Sequence, residues 1–317
     1  MTARLREFGA IPICALVWGT SWYVITLQLG TVDPGASLAY RFGLASTILF
    51  IWTALRGQPV ALSRNQHAAA LGVGVFSFTI DYGLTYLAEQ HVVSAVVAVV
   101  FAALAFVNLI VFRVACRESA PRAAWGAAAI GAVGVALLSW GEIVHARFDH
   151  GALTGLVMAV GGVVAAAIGN VFARRGEEAG APLAVSVAWS MGYGAFLLAG
   201  ITTVRGAWGF DASPRYVLAL LYLALAASVL AFVLYFGLAR RHGFTLASYI
   251  LALTPVLAIT MSTVFEGKRW SGQGLGGAVL VLAGQWTLLR VQARDEPPGG
   301  GRTIRGSAVA RDTPPTC

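Results

Sequence analysis

The sequence predicts an all-α polytopic membrane protein in which ten transmembrane helices form two inverted five-helix repeats. The first supporting observation is compositional: 58% of the 317 residues are hydrophobic, only 11% are charged, and the mean hydropathy is +0.75. A soluble domain cannot bury so large an apolar share. The second is that apolar residues occur in runs of about 20, the length that crosses a bilayer. The third is an internal repeat of the whole pattern.

Ten apolar runs, bounded by charged residues or by Pro and Gly, define the predicted spans. In chain order they cover residues 9–29, 37–55, 68–88, 92–112, 124–140, 151–173, 183–204, 216–238, 244–265 and 273–289. Because the intervening loops are short, consecutive helices are expected to be antiparallel neighbours. Residues 1–145 and 146–291 thus form the two five-helix units. Residues 292–317, rich in Pro, Gly and Arg, are expected to be a disordered cytoplasmic tail.

The two halves share residues at a constant offset. Three identical pairs are 148 positions apart: Pro34 and Pro182, Glu118 and Glu266, Gly126 and Gly274. Because each unit has an odd number of spans, the second must enter the bilayer upside down relative to the first. This inverted repeat is typical of secondary transporters, which place the substrate site between the halves near the membrane midplane.

The paired hairpins at 92–138 and 244–289, together with residues between positions 18 and 42, also carry a family resemblance. The residues concerned are Trp18, Gly19, Pro34, Arg41, Phe42, Ser94, Ala95, Glu118, Ala247, Ser248, Pro255, Glu266, Gly277 and Gly284. On these residues the chain resembles the EamA family of the drug/metabolite transporter superfamily over nearly its whole length. The resemblance implies a basket-shaped cavity from spans one to four and six to nine, and export of amino acids or similar metabolites. As a departure, Leu104 and Ala105 stand near the place of the family's first mid-helix proline.

The distribution of cations predicts the orientation. Of the 22 Lys and Arg residues, 16 fall on the side that holds both termini, 5 fall on the opposite side, and Arg41 falls inside a span. Cytoplasmic loops of membrane proteins carry an excess of Lys and Arg. We therefore expect a multi-pass protein of the plasma membrane with both termini in the cytoplasm.

Two ionisable residues fall inside apolar spans, where a charge is costly and by default faces a cavity or a partner. At 1.5 Å per residue, Arg41 lies roughly 6 Å and Asp81 roughly 11 Å below the outer surface, so the two could pair. Alternatively, Arg41 could extend its guanidinium to the headgroups. Ser77, Asp81 and Thr85 recur every four residues and form one polar stripe, which either has a functional role or joins helices.

Further residues inside the spans are candidates for lining a substrate cavity. With Arg41 and Asp81, the predicted substrate-binding set comprises Trp18, Trp22, Tyr82, Asn108, Asn170, Tyr235 and Tyr249. The indoles of Trp18 and Trp22 share one face of the first span, because they are four residues apart. For each of these residues, plain packing with satisfied hydrogen bonds is the alternative interpretation.

Pro255 is predicted to have a conformational role. Proline removes the hydrogen bond to the carbonyl four residues earlier and kinks the helix, and a free carbonyl and a bend facing a cavity suit alternating access. The small residues have a packing explanation: Gly272 with Gly276 forms a GxxxG pair, and Ala165 with Gly169 forms a second small pair.

Several classes of function are not expected. The net charge of +8 comes mostly from arginines at span ends, which does not indicate nucleic-acid binding. Gly272, Gly274 and Gly277 match GxGxxG, but no strand precedes them, and Lys268 is the only lysine. The five histidines lack the HExxH spacing of metalloproteases. Neither a cofactor nor a metal site is therefore predicted.

The leading hypothesis is a secondary transporter, and more specifically an exporter, of small organic metabolites by alternating access. Its expected partners are the substrate, the lipid bilayer and a coupling proton, with Arg41 meeting a substrate carboxylate and Asp81 an amine or the proton. The alternative is an intramembrane enzyme acting on lipid or a small molecule, with Asp81, Arg41 and His91 as candidate catalytic groups.

Fusion of reporters that are active only outside the membrane tests the predicted orientation. Because the cation excess places both termini inside, reporters after Leu29, Trp140 and Phe265 should be active, and reporters after Leu55 and Leu238 should be silent. An inverted pattern, or one that requires nine spans, would contradict the inverted repeat.

Overall fold

The computed structural model describes residues 3–118, 120–145, 150–247 and 250–295, and the regular elements of this part are all helical. The helices in chain order are α1 (Ala3–Thr26), α2 (Pro34–Leu55), α3 (Arg64–Ala88), α4 (Ser94–Phe101), α5 (Leu104–Ala115), α6 (Arg122–His145), α7 (His150–Glu178), α8 (Leu183–Val204), α9 (Pro214–His242), α10 (Phe244–Ala247), α11 (Ile250–Phe265) and α12 (Gly272–Asp295). Because α12 continues to Asp295, the first four residues of the predicted tail are helical. The rest of that tail lies outside the described residues.

Helix length and composition confirm a polytopic membrane protein. Among the described residues, five helices are long and apolar enough to cross a membrane: α2, α3, α7, α8 and α9. The pair α4 and α5 adds a sixth if it is one span bent by 41°. The apolar parts of α1, α6, α11 and α12 are shorter, at 10–17 residues. Ten crossings and the inversion of the second half remain predictions.

The starts of three helices follow from local sequence. Asp33 caps α2 by accepting a hydrogen bond from the backbone N–H of Gly35 at 2.8 Å. Ser63 and Gln66 form a reciprocal capping box at the start of α3. Ser213 caps α9, and α2 and α9 each have Pro at the first helical position, where its missing N–H costs nothing. These caps define where the helices enter the bundle.

Helices α3 and α9 each contain a central π-helical segment, Gly74–Asp81 in α3 and Leu223–Leu230 in α9. The two segments start 149 positions apart, close to the offset seen in the sequence. The sequence analysis predicted regular α-helix at both places. A π segment changes the rotation of the residues that follow it and is frequent at functional sites. Asp81 and Ser228 both lie in these segments.

The fourth predicted span is bent although it contains no proline. The bend of 41° lies between α4 and α5, at Ala102 and Ala103. There the N–H of Ala103 donates to the carbonyl of Val100 at 3.0 Å, a tighter turn than the α-helical one. Absence of the family's proline at Leu104 and Ala105 therefore does not remove the bend.

A row of glycines on α7 allows α3 to approach closely. Gly155, Gly162 and Gly169 are seven residues apart, so they lie on one face of the helix. A Cβ added to Gly162 would lie 3.4 Å from the Asp81 carbonyl oxygen, and one added to Gly169 would lie 3.2 Å from the Ser77 nitrogen. The prediction that Gly169 is a close-contact residue is confirmed, and the contact positions the polar stripe of α3.

Helices α6 and α12 also pack through glycines, but not through the predicted pair. A Cβ on Gly277 would lie 2.6 Å from the Leu138 nitrogen, and one on Gly284 would lie 2.8 Å from the Gly131 nitrogen. By contrast, a Cβ added to Gly272 would meet no heavy atom of the described residues within 4 Å. The predicted GxxxG contact is therefore wrong, because the seven-residue pair, not the four-residue pair, faces α6.

Substitution of neighbouring glycines on α12 tests this packing. Gly277→Ala should lower the stability of the purified protein by about 1–3 kcal/mol, because the obstructing atoms belong to the backbone and cannot rotate away. Gly276→Ala is the matched control, since its nearest contact would be the Leu137 side chain at 3.9 Å. Thermal unfolding in detergent measures both, and equal losses would contradict the assigned helix face.

Candidate functional site

A pocket lies between the two halves of the chain. The first half contributes residues from α1, α3, α4 and α5, and the second half contributes residues from α7, α9 and α11. The lining residues are Trp18, Ser21, Trp22, Ile25, Ser77, Asp81, Tyr82, Thr85, Phe101, Leu104, Ala166, Asn170, Phe232, Tyr235, Phe236 and Leu251. Its volume of about 60 Å³ accommodates a few water molecules. Ligand pockets usually exceed about 300 Å³, so an organic substrate requires the pocket to expand.

Asp81 is the only carboxylate among the lining residues. Its side chain is 6% exposed, and Oδ1 accepts a hydrogen bond from the Thr85 hydroxyl at 3.4 Å. Ser77 and Thr85 line the same pocket, so the polar stripe predicted on α3 faces the cavity despite the π segment. A buried carboxylate with one long hydrogen bond retains capacity for a further partner.

The two predicted indoles both line the pocket but differ in their hydrogen bonds. Trp18 Nε1 donates to the Ala227 carbonyl at 3.0 Å and so joins α1 to α9. Trp22 packs against Phe101, with ring centroids 5.0 Å apart. The buried Nε1 of Trp22 has no acceptor among the described residues. Trp22 therefore offers a free donor inside the cavity.

A chain of hydrogen-bonded polar side chains also borders the pocket. The Tyr235 hydroxyl donates to Asn170 Oδ1 at 3.3 Å, and Asn170 Nδ2 donates to Asn108 Oδ1 at 3.2 Å. Tyr235 and Asn170 line the pocket, whereas Asn108 lies behind them and is fully buried. The structure thus brings together most of the predicted substrate-binding residues, with Asn108 as a supporting group.

Arg41 lies outside the pocket lining and is held by other groups. Its Nε donates to the Ser228 hydroxyl at 2.9 Å, and Nη1 donates to the Tyr86 hydroxyl at 3.3 Å. The guanidinium carbon lies 4.6 Å from the centre of the Tyr82 ring. No ion pair joins Arg41 to Asp81 in the described part of the chain. Because Arg41 is only 1% exposed, it does not extend to the headgroups either.

The Arg41 network contains residues that the sequence analysis missed. Tyr86 donates to Gln28 Oε1 at 2.8 Å, and Gln28 is fully buried near the end of the first predicted span. Glu89 is 8% exposed although it lies just beyond the predicted third span, which ends at residue 88. Continuation of the four-residue spacing from Asp81 and Thr85 would have indicated it.

Two further predicted residues have different outcomes. Tyr249 lies outside the described residues. Pro255 is buried within α11 but is not among the lining residues, whereas Leu251, one turn earlier, is. The Leu251 carbonyl accepts a hydrogen bond from the Thr254 hydroxyl at 3.0 Å. The expectation that proline leaves this carbonyl free is therefore wrong.

The fold and the pocket define a polytopic helical membrane protein with an internal cavity shared by its two halves. Sequence comparison is more specific: the chain belongs to the EamA-like transporter family, whose model matches residues 8–140 and 153–290. Since the family is one of transporters, the alternative of an intramembrane enzyme is rejected.

Curated relatives align along most of the chain. The "Uncharacterized inner membrane transporter YedA" of Escherichia coli is 29% identical over 290 residues, which cover 88% of this chain and 89% of YedA. "Protein PagO" of Salmonella typhimurium is 25% identical, with 90% and 92% covered. The "Probable amino-acid metabolite efflux pump" of the same species is 24% identical, with 88% and 93% covered. A solved structure described as "Crystal structure of protein" shares the fold at a TM-score of 0.69, with 19% identity, 92% of this chain and 100% of that chain covered.

Conservative replacement of the two indoles tests the hydrogen bonds in the pocket. Trp18→Phe should lower stability by about 1 kcal/mol more than Trp22→Phe does, because only Trp18 loses a buried hydrogen bond. The two substitutions remove the same atoms, so each is the control for the other. Thermal unfolding in detergent measures the difference, and a larger loss for Trp22→Phe would show that its Nε1 has an acceptor.

Proposed function

We propose that this protein is a secondary transporter that exports small organic metabolites, such as amino acids or related compounds, by alternating access across the inner (plasma) membrane. The observation that carries the proposal is the pocket between the halves, with one carboxylate, one free indole N–H and aromatic walls. In this proposal both termini are cytoplasmic and the second half is inverted relative to the first. The names of the relatives, an inner membrane transporter and an amino-acid metabolite efflux pump, support it.

The pocket chemistry favours a substrate that has an amine and an apolar portion. Asp81 supplies a negative charge for the amine, and Trp18, Trp22 and Phe232 supply apolar surface. A substrate carboxylate would meet the free Nε1 of Trp22 rather than Arg41, because Arg41 is not among the residues that line the pocket. Arg41 thus has a structural role in the conformation described.

Contacts between the halves close the side that is predicted to face outward. Ser37 and Tyr216 share a hydrogen bond of 2.9 Å between their hydroxyls. The Glu266 carboxylate accepts from the Ser94 hydroxyl at 2.7 Å and from the Ser94 N–H at 3.4 Å, at the start of α4. Ser262 also donates to Glu266. Release of these bonds would open the outward path in the proposed cycle.

Movement of α11 is part of the same proposal. Leu251 brings α11 into the pocket wall, and Pro255 lies one turn further along the helix. Proline prevents a regular backbone hydrogen bond at this turn, so the helix bends there at a lower cost than elsewhere. We expect the pocket to expand through a change of this bend.

Asp81 provides the test of the proposed function. Metabolites released by cells with and without the protein should first be compared, and the exported compound should then be used as labelled substrate in vesicles. Asp81→Asn should abolish concentrative export, because the isosteric amide cannot bind a proton or balance an amine. Exchange of labelled substrate should survive if the carboxylate serves only the proton.

Control measurements make this test specific. Glu118→Gln removes an exposed carboxylate from a predicted cytoplasmic turn and should leave export unchanged. The amounts of each variant in the membrane should be equal, since Asn keeps the shape of Asp. Full concentrative export by Asp81→Asn would contradict the assigned role, and identical metabolite release with and without the protein would contradict export.

A further inference from the structure

The polar stripe on α3 continues one step beyond the pocket. Glu89 follows Thr85 by four residues, as Thr85 follows Asp81, and the Glu89 N–H donates to the Thr85 carbonyl at 3.0 Å. The Thr85 hydroxyl in turn donates to Asp81 at 3.4 Å. Successive members of the stripe are about 6 Å apart along the helix. Glu89 thus lies at the end of α3 that is predicted to face outward, in line with the pocket carboxylate.

Glu89 is buried without a partner. Its side chain is 8% exposed, and neither Oε1 nor Oε2 has a hydrogen-bond partner in the described part of the protein. Gln28, which is fully buried, likewise has no acceptor there for its Nε2. An ionised carboxylate in such a place is costly, whereas a neutral carboxyl group is far less so. The site therefore requires a ligand that removes the charge of Glu89.

The neighbouring charged groups do not provide this neutralisation. Glu89 interacts electrostatically with Glu266 at the end of α11 and with Arg41 of α2. Glu266 is itself acidic, and the Arg41 guanidinium directs its hydrogen bonds to Ser228 and Tyr86. The Tyr86 hydroxyl, which also interacts electrostatically with Glu89, donates to Gln28. Of these groups, only Arg41 is cationic, and it favours the ionised form of Glu89, but burial and the negative charge of Glu266, which both raise the pKa of Glu89, act more strongly.

The ligand that fits is a proton rather than a metal cation. A bound cation needs several oxygen ligands, but the free atom of Gln28 is a donor and its oxygen already accepts from Tyr86. No cluster of three metal-ligating side chains occurs among the residues that the structure describes. A proton needs a single carboxylate oxygen.

We infer that Glu89 is the outer proton-binding site of this transporter and that it exchanges protons with Asp81 through the Thr85 hydroxyl and water in the pocket. The inference rests on the proposed function, for which it supplies the coupling proton. A proton that enters from outside would bind Glu89, pass to Asp81 and leave toward the cytoplasm as substrate moves outward. Neither carboxylate changes except by gain and loss of that proton.

Infrared difference spectroscopy on the full-length protein tests this site without any substrate. The protein would be reconstituted in vesicles of phosphatidylethanolamine and phosphatidylglycerol, and the C=O band of protonated carboxyl groups followed as pH is raised. The Glu89→Gln variant should lose one titrating component of this band. Asp81→Asn should keep that component, and Glu118→Gln, an exposed control, should keep it as well.

A second variant reports on the surroundings of Glu89. Glu266→Gln should shift the titration midpoint of the Glu89 component to lower pH, because removal of a nearby negative charge favours the ionised form. Replacement of potassium by sodium should have no effect. A band unchanged in Glu89→Gln, an unmoved midpoint in Glu266→Gln, or a sodium-dependent titration would each overturn the inference. If Glu89→Gln does not fold, the Glu266→Gln midpoint decides.

The readout separates this inference from the proposed function. Loss of the Glu89 component in Glu89→Gln would support the proton site even if cells with the protein exported no additional metabolite. If the unmodified protein exports a metabolite but Glu89→Gln leaves the carboxyl band unchanged, the inference is overturned and the proposed function still stands.

Discussion

Burial of the Arg41 guanidinium is the constraint on which the helix arrangement depends. At 1% exposure the charge has lost its water, which costs on the order of several kcal/mol unless protein groups replace it. Ser228 from the second half and Tyr86 with Tyr82 from α3 supply those groups, and Tyr86 extends the network to Gln28. Helices α2, α3 and α9 and the turn that follows α1 must therefore meet at one point.

Close contact between backbones positions the pocket chemistry. Because Gly162 and Gly169 of α7 have no side chains, α3 can lie directly against them, and Asp81 and Thr85 then face the cavity. The stripe on α3 runs from the pocket to Glu89, beside the network that holds the halves together. In the proposed cycle, a change of charge on this one helix would act both on the cavity and on the contacts between the halves.

Side-chain roles within a span could be predicted where the helical period alone decides them. Trp18, Trp22 and Asp81 reach the pocket as expected, since residues four apart share a face. Arg41 does not, because its direction depends on the rotation of α2 relative to α3 and α9. Glu89 was missed because hydropathy ends a span at the first charged residue, although burial of that residue depends on what packs over it.

The sequence by itself determined the class and the family of this protein, because apolar runs long enough to cross a bilayer, and the glycines and proline of the paired hairpins, are local features. Tertiary structure alone decided which polar groups meet. Arg41 and its partner Ser228 are 187 residues apart, and Ser94 and Glu266 are 172 residues apart. Such pairs depend on helix rotation, on the π segments and on the approach allowed by glycines. No local pattern encodes these quantities, because a buried charge is stabilised by the polar groups of whichever helix packs beside it.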